Sequence, residues 1–369
     1  MKINTGKRRV NWVVGLLLLA VLTLTACGGG QAQPPSSSDG TGNQEQPAED
    51  QQVAKLPPEI IIASDKAGGA ANAMANGIAS IISENTDMRA TVKGLGNLNS
   101  FISQFESGEV DFAVASLTDP IFAYYGIHSF DEAHPFIRNV MVGTNQTWAI
   151  MVPDNVQVQT AEELAAWLPG KTVSHGWVNP LIDLYNQAAF ANLGLTEQDI
   201  EAFPVSNYDD YAAAWNEGRL DASGATIGVG ILQQMYPARA FHFASLDDSP
   251  EAVERMKQVE PALYISKQPA GPLGVNEEIN ALTYDYGLVV RDDVDDAVVK
   301  AVIQALFDNQ EKLASLPNLD QWGPAEEKWV SEHASLPYHP AAIEFYKEKG
   351  LWKDDMDAWQ EKWLAGQRF

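Results

Sequence analysis

From residue 59 onward, short apolar runs alternate with segments whose apolar residues recur every three or four positions. Residues 59–63 read Glu-Ile-Ile-Ile-Ala, the kind of run shown by a parallel strand covered on both faces. A Gly-containing loop follows at 64–69. Then Met74, Ile78, Ile81 and Ile82 fall at helical spacing. Ala90, Thr91 and Val92 predict a second strand. Leu98, Phe101, Ile102 and Phe105 sit at i, i+3, i+4 and i+7 and predict an amphipathic helix. Gly108 closes it, and residues 110–115 predict a third strand. The order βαβαβ implies a parallel sheet with right-handed crossovers.

The order recurs further on. Residues 171–174 are strand-like; Leu181, Leu184, Tyr185 and Ala188 mark a helix; Tyr211, Ala214 and Trp215 mark another, closed by Gly218. Gly108-Glu109-Val110-Asp111 and Gly218-Arg219-Leu220-Asp221 both lead into strands, 110 positions apart. Two α/β units of one topology predict two similar lobes. Residues 148–152 predict a strand crossing into the second lobe and 286–290 the strand that returns. Residues 245–274 read as loop-rich. After Asp292 the pattern is helical, and Trp352, Met356, Trp359 and Trp363 lie on one helix face, as a stripe turned to the core does. The predicted lobes are 57–147 with 285–369, and 148–284.

The N-terminus changes the picture. Lys2, Lys7, Arg8 and Arg9 precede an apolar run from 10 to 24, which is a secretory leader pattern. It ends in Leu24-Thr25-Ala26-Cys27, which resembles the lipidation box of bacterial lipoproteins. That resemblance implies diacylation of Cys27 and membrane attachment through an N-terminal lipid. Cys27 is the sole cysteine, so no intrachain disulfide forms. Residues 28–56 are rich in Gly, Gln, Pro, Ser and acids, the composition of a flexible tether. Removing the four leader cations from 24 leaves 20 basic against 49 acidic residues, a balance of −29. Such a chain is not expected to bind nucleic acid.

Several segments resemble the TAXI-type receptors of tripartite ATP-independent periplasmic (TRAP) transporters. The longest is Leu336-Pro337-Tyr338-His339-Pro340-Ala341-Ala342, continuing through Tyr346-Lys347-Glu348-Lys349-Gly350-Leu351-Trp352. It is similar to the family's Leu-Pro-x-His-Pro-Gly-Ala segment and the Tyr-x-Glu-x-Gly-hydrophobic-Trp that follows. Gly108-Glu109-Val110-Asp111, the 64–69 loop, and Leu168-Pro169-Gly170-Lys171 with Leu193-Gly194-Leu195 add to it. The resemblance runs from about 59 to 352. It implies a periplasmic-binding-protein-like class II fold, with two α/β lobes joined by hinge strands. It also implies a small, carboxylate-bearing ligand of the amino acid or dicarboxylate class, and delivery to TRAP membrane subunits. Three loops depart from the pattern, at Ala70-Ala71-Asn72, at Gly96-Asn97-Leu98-Asn99-Ser100 and at Trp177-Val178-Asn179-Pro180, so the ligand's identity does not carry over.

Ligands of doubly wound sheets bind at the carboxyl ends of strands, beside helix N-termini that favour anions. Candidate binding residues are therefore Ser64, Asp65, Lys66, Gly68 and Gly69 in the first loop, Asn97 and Asn99 in the second, and Ser116 and Thr118 after the third strand. In the second lobe they are His175, Trp177, Asn179 and Thr226. Ser116 and Thr226 each lie five residues past the Asp that heads their strand. Lys66 is the candidate counter-charge for an acidic ligand, or a solvated loop lysine; Asp65 could instead read an ammonium group. Trp177 either walls the pocket or belongs to the core. Asp111 and Asp221 are expected to cap turns. The six histidines show no metal spacing, and neither a phosphate loop nor a Gly-x-Ser-x-Gly elbow occurs; no cofactor is expected. A sensor accessory shares every feature of a transport receptor, and an enzyme on the same fold would need a nucleophile–base pair that is not recognisable here.

Overall fold

The computed structural model describes residues 55–67, 69–177 and 180–367. Cys27, the predicted leader, nearly all of the predicted tether, Gly68 and Asn179 lie outside the described residues. In chain order the strands are β1 (Glu59–Ser64), β2 (Arg89–Gly94), β3 (Phe112–Ser116), β4 (Ile137–Pro153), β5 (Thr172–Ser174), β6 (Glu201–Phe203), β7 (Ser223–Thr226), β8 (Phe241–Ala244), β9 (Tyr264–Gln268) and β10 (Ile279–Arg291). The first six helices are α1 (Ala70–Asn85), α2 (Leu98–Glu106), α3 (Thr118–Tyr125), α4 (Ala161–Trp167), α5 (Pro180–Asn192) and α6 (Tyr208–Asn216).

In the first lobe the apolar β1 is the inner strand, parallel to β2 on one side and β3 on the other. Antiparallel β10 pairs with β3 and then with β4. The second lobe repeats the plan on a smaller scale. β5 is parallel to β6 and bridged to β7 at Val173–Ala222, and β7 pairs antiparallel with β4. β8 and β9 extend β4 and β10. The two long strands therefore serve both lobes, and the register from Leu282–Trp148 to Arg291–Ile137 ties one to the other.

The repeated Gly-x-aliphatic-Asp segments have one role in both lobes. The Asp111 carboxylate accepts the Ile61 N–H at 2.8 Å, and the Asp221 carboxylate accepts the Thr172 N–H at 3.0 Å. Each locks the third strand of its lobe to the first. Gly108 and Gly218 turn the chain ahead of them at φ 81° and 74°, a region that glycine enters without a Cβ penalty.

One core cluster joins β1, α1, α2, β3 and the C-terminal helices, from Ile60 to Trp363. The second lobe has two clusters, on opposite faces of its sheet: one around Trp148, Leu164, Tyr185 and Phe190, the other around Met151, Tyr211, Trp215 and Phe241. Helix Met356–Leu364 turns Met356 and Trp363 inward, while Trp352 lies ahead of it and donates its Nε1–H to Asp357 at 3.0 Å. The 245–274 stretch, read as loop-rich, holds helix Pro250–Val259 and β9. Only Ala252 and Met256 of that helix are buried, so its apolar stripe is too thin to read. Its start follows from Ser249, whose hydroxyl accepts the Ala252 N–H, and from Pro250 at the first helical position.

Close packing fixes where the C-terminal segment meets β4. A Cβ on Gly143 would lie 2.2 Å from the ring of Trp322, which has no exposed surface. Gly143→Ala is expected to destabilise the fold by roughly 1–3 kcal/mol, the usual cost of overpacking. A urea melt reads this as a lower midpoint at constant slope; an unchanged midpoint contradicts the packing described.

Candidate functional site

The carboxyl ends of β3 and β7 converge on one cavity of about 180 Å³. Ser116, the last residue of β3, and Thr226, the last of β7, both line it. Their hydroxyls are engaged by tyrosines. Ser116 Oγ lies 3.3 Å from Thr118 Oγ1, which shares a 3.3 Å hydrogen bond with Tyr185 Oη, and Thr226 Oγ1 lies 3.1 Å from Tyr284 Oη. Tyr185 belongs to α5 of the second lobe and Thr118 to α3 of the first, so this buried bond crosses between the lobes.

The remaining wall is aromatic. Tyr185 and Tyr284 stack at 4.8 Å and 26°, with Trp148 at the edge of Tyr185 and Tyr286 tilted 48° against Tyr284. Trp177 meets Tyr211 edge-on at 5.1 Å and Tyr208 at 5.9 Å. Trp177 thus fills both predicted roles, lining the cavity and joining the second-lobe core. Its Nε1 has no hydrogen-bond partner among the described residues. Burial raises the phenol of Tyr284 to about 12 and holds that of Tyr185 well above its ordinary value, so both stay neutral at any ordinary pH.

The protein's own carboxylates bond N–H groups at the starts of α1 and α2 and in the loop before α5. Asp65 accepts the Asn72 N–H at 2.5 Å and also bonds the Ala71 backbone, within the first turn of α1. Gly69 makes room for it, because a Cβ there would sit 2.0 Å from the carboxylate. Asp119, in α3, accepts the Leu98 N–H at the start of α2. In the second lobe Asp183 accepts the Gly176 and Trp177 N–H groups, each at 2.9 Å. Burial raises Asp65 above the usual carboxylate range and takes Asp119 to about 6.

Of the described sequence candidates, Ser116, Trp177 and Thr226 line the cavity and Thr118 braces it. Ser64 is fully buried at the end of β1 and accepts from Asn72 Nδ2. The others serve elsewhere. Lys66 is exposed, as a solvated loop lysine is, and does not line the cavity. Asn97 is an exposed residue that accepts from Ser100 Oγ, and Asn99 donates to the Ser129 carbonyl at the far side of α2. His175 lies between Asp183 and Glu197, 3.2 Å from each, and these partners raise its pKa, with the Asp183 bond first. Gly68 and Asn179 are outside the described residues. Sequence reading missed Trp148, Tyr185, Tyr208, Tyr211, Tyr284 and Tyr286 as wall residues. The one signal available was the alternation Tyr284-Asp285-Tyr286, which places two rings on one strand face.

A larger cavity, of about 360 Å³, lies where the same strand shows its other face, with Asp285, Tyr264, Asn145, Lys328 and His333 in its lining. It is not at the carboxyl ends of the parallel strands, so the smaller cavity is the candidate ligand site. Among the described residues no group of three metal-ligating side chains occurs.

The fold has known counterparts. The chain is similar to a TctC solute binding protein from Polaromonas crystallised with no ligand, at 13% identity over 71% of this chain and 86% of that one, TM-score 0.50. It is also similar to the periplasmic aliphatic sulphonate binding protein SsuA from Escherichia coli, at 14% identity over 80% and 89%, TM-score 0.45. The fold is the mixed α/β, two-lobed fold of periplasmic binding proteins. The profile of the NMT1-like family matches residues 62–350, and the chain belongs to that family. No curated protein matches the sequence.

Two outcomes follow from this geometry. Tyr185→Phe removes the hydroxyl that bonds Thr118 across the lobes, at a cost of about 1 kcal/mol to the fold. A urea melt should then show a lower midpoint than for the unaltered protein, and an unchanged midpoint contradicts the bond. Asp285, buried and bonded by Tyr264 Oη at 2.8 Å, is held at about 6 against an ordinary 3.8, chiefly by burial and opposed by Lys328. The folded state therefore holds this proton where the unfolded chain has released it. Its contribution is full below the ordinary value and is lost as pH rises through about 6. Asp285→Asn stays neutral throughout, so its melting temperature should gain on that of the unaltered protein between pH 4.5 and 7.5. A pH-independent difference would refute the assignment.

Proposed function

We propose that this chain is an extracytoplasmic solute-binding receptor, in which two lobes close on a small molecule and present it to a membrane transporter. The observation that carries this reading is the cavity at the carboxyl ends of β3 and β7, walled by both lobes and bridged by the Thr118–Tyr185 bond. Ligand binding in such a site shifts a balance between open and closed forms. A cavity of 150 Å³ accommodates benzene, so about 180 Å³ suits a solute of roughly six to ten non-hydrogen atoms. The similar Polaromonas protein is a solute binding protein, which agrees with this reading.

We further infer that Cys27 carries the lipid anchor and that residues 28–56 tether the lobes to the membrane, on the strength of the leader pattern and its terminal Leu-Thr-Ala-Cys. The partner we infer is a TRAP-type membrane subunit pair, from the 336–352 segment. The carboxylate class that this resemblance implies for the ligand finds no cation in the cavity lining.

A thermal-shift and tryptophan-fluorescence screen of small solutes tests the receptor reading. At least one solute should bind at micromolar strength, about −8 kcal/mol, and Thr226→Val should weaken it. A screen across amines, acids, sugars and nucleobases with no hit would reject the reading. The anchor has its own test: Cys27→Ser should move the protein from the membrane fraction to the soluble one, and retention in the membrane would dismiss lipidation there.

A further inference from the structure

The reading above leaves the chemical class of the solute open, and the cavity itself speaks to it. A carboxylate ligand needs either a cation or free N–H groups at a helix N-terminus. Among the described residues the lining offers no cation, and the protein's own carboxylates already hold several nearby N–H groups. The lining contains no charged residue, and the three internal positions outside the described residues are Gly68, Val178 and Asn179, uncharged by type. The N–H groups at the starts of α1 and α2 and in the loop before α5 are bonded by Asp65, Asp119 and Asp183. An incoming carboxylate would have to displace these groups and would meet their charge.

The same arrangement favours a cation. Aromatic rings present a negative face, and an ammonium within about 6 Å of a ring centroid is attracted by it, more strongly once water is excluded. Tyr185, Tyr284 and Tyr286 form one aromatic group in the lining, with centroids 4.8 and 6.2 Å apart; Tyr185 and Tyr284 cover each other's inner faces, and the outer ring surfaces of the group remain for a ligand. The carboxylates of Asp65 and Asp119 act on Tyr286: after burial and Tyr284, they help hold its phenol well above the ordinary range. Their field falls on the wall where a ligand's positive charge would rest. Among the described residues the buried Trp177 Nε1–H has no partner, and it suits an acceptor on the ligand. We propose that the inter-lobe cavity binds a small methylated ammonium compound, its cationic head on the Tyr185, Tyr284 and Tyr286 rings and its one polar oxygen on Trp177. This inference rests on the solute-receptor reading and specifies its ligand.

Isothermal titration of the full chain with defined probes decides it. Choline and tetramethylammonium should bind. Choline should bind at least about 10-fold more tightly than its uncharged carbon isostere 3,3-dimethylbutan-1-ol, reflecting the cation–ring attraction. Succinate and glutamate should give no heat. Tyr286→Phe keeps the ring face and should hold the choline affinity within about 3-fold, whereas Tyr286→Leu should lose about 10-fold or more; circular dichroism melts of both variants verify folding. Equal affinity for choline and the isostere overturns the cationic assignment. Binding of succinate or glutamate without choline overturns it too, while leaving a solute receptor in place. Silence with all these probes overturns the ammonium assignment, and only an empty result from the wider screen removes the receptor as well.

Discussion

The pairing of β4 with β10 is the constraint on which the rest of the structure depends. Each strand runs unbroken from one lobe into the other, and every other strand of the main sheet is placed by reference to this pair. β3 takes its place against the first-lobe half of β10, and β7 against the second-lobe half of β4. The carboxyl ends of the two units are thereby aimed at each other. Had the lobes been joined by loops, nothing would fix Ser116 and Thr226 on the walls of one cavity. The pair also limits motion: two hydrogen-bonded strands bend and twist together far more readily than they part, so the lobes have a hinge rather than a free joint.

The pair then decides which chemistry faces which way. Side chains alternate across a strand, and Tyr284-Asp285-Tyr286 puts two rings toward the ligand cavity and a carboxylate toward the opposite one. The ladder shifts register between Asp285 and Gly287, where a Cβ on Gly287 would meet Leu117 and the Met141 carbonyl at 2.8 Å. A bulge of this kind re-aims side chains at a functional edge. It allows β3 and α3 to approach close enough for the Leu117 N–H to bond the Asp285 carbonyl at 2.8 Å, which sets Thr118 opposite Tyr185.

Much of the fold was legible because its inner strands and helices carry strong patterns: the Ile-rich β1, the stripes of α1 and α2, and the paired Gly-x-aliphatic-Asp entries. The elements missed are those whose burial is set by neighbours rather than by their own periodicity. β6 is three residues long with Glu201 and Ala202 exposed, and α3 is buried on nearly every side, so neither displays a polar–apolar rhythm. The site was legible only in part for the same reason. Strand-end hydroxyls obey a positional rule, and Ser116 and Thr226 followed it. The tyrosine wall draws on α5, α6 and β10, and only the register of the hinge pair determines which of its rings share a cavity. Sequence offers Lys66 as a counter-charge or as a solvated loop lysine; in space it is exposed and off the cavity, and Asp65 beside it bonds the first turn of α1.

That last contact reaches beyond one residue. In this fold the helix termini at the cleft are a ready source of positive potential, and a protein that fills them with its own carboxylates converts that potential into internal support. Asp65 and Asp119 both bear the cost of burial and both bond backbone N–H groups, so they hold loops in place while their charge acts on Tyr286 of the cavity wall. Aromatic walls alone would admit any flat or greasy solute of the right size. Under the ligand assignment proposed above, aromatic walls with carboxylates held behind them discriminate by charge, because the wrong sign must be desolvated without compensation. On that proposal, selectivity draws on the same hydrogen bonds that stabilise the ends of the helices.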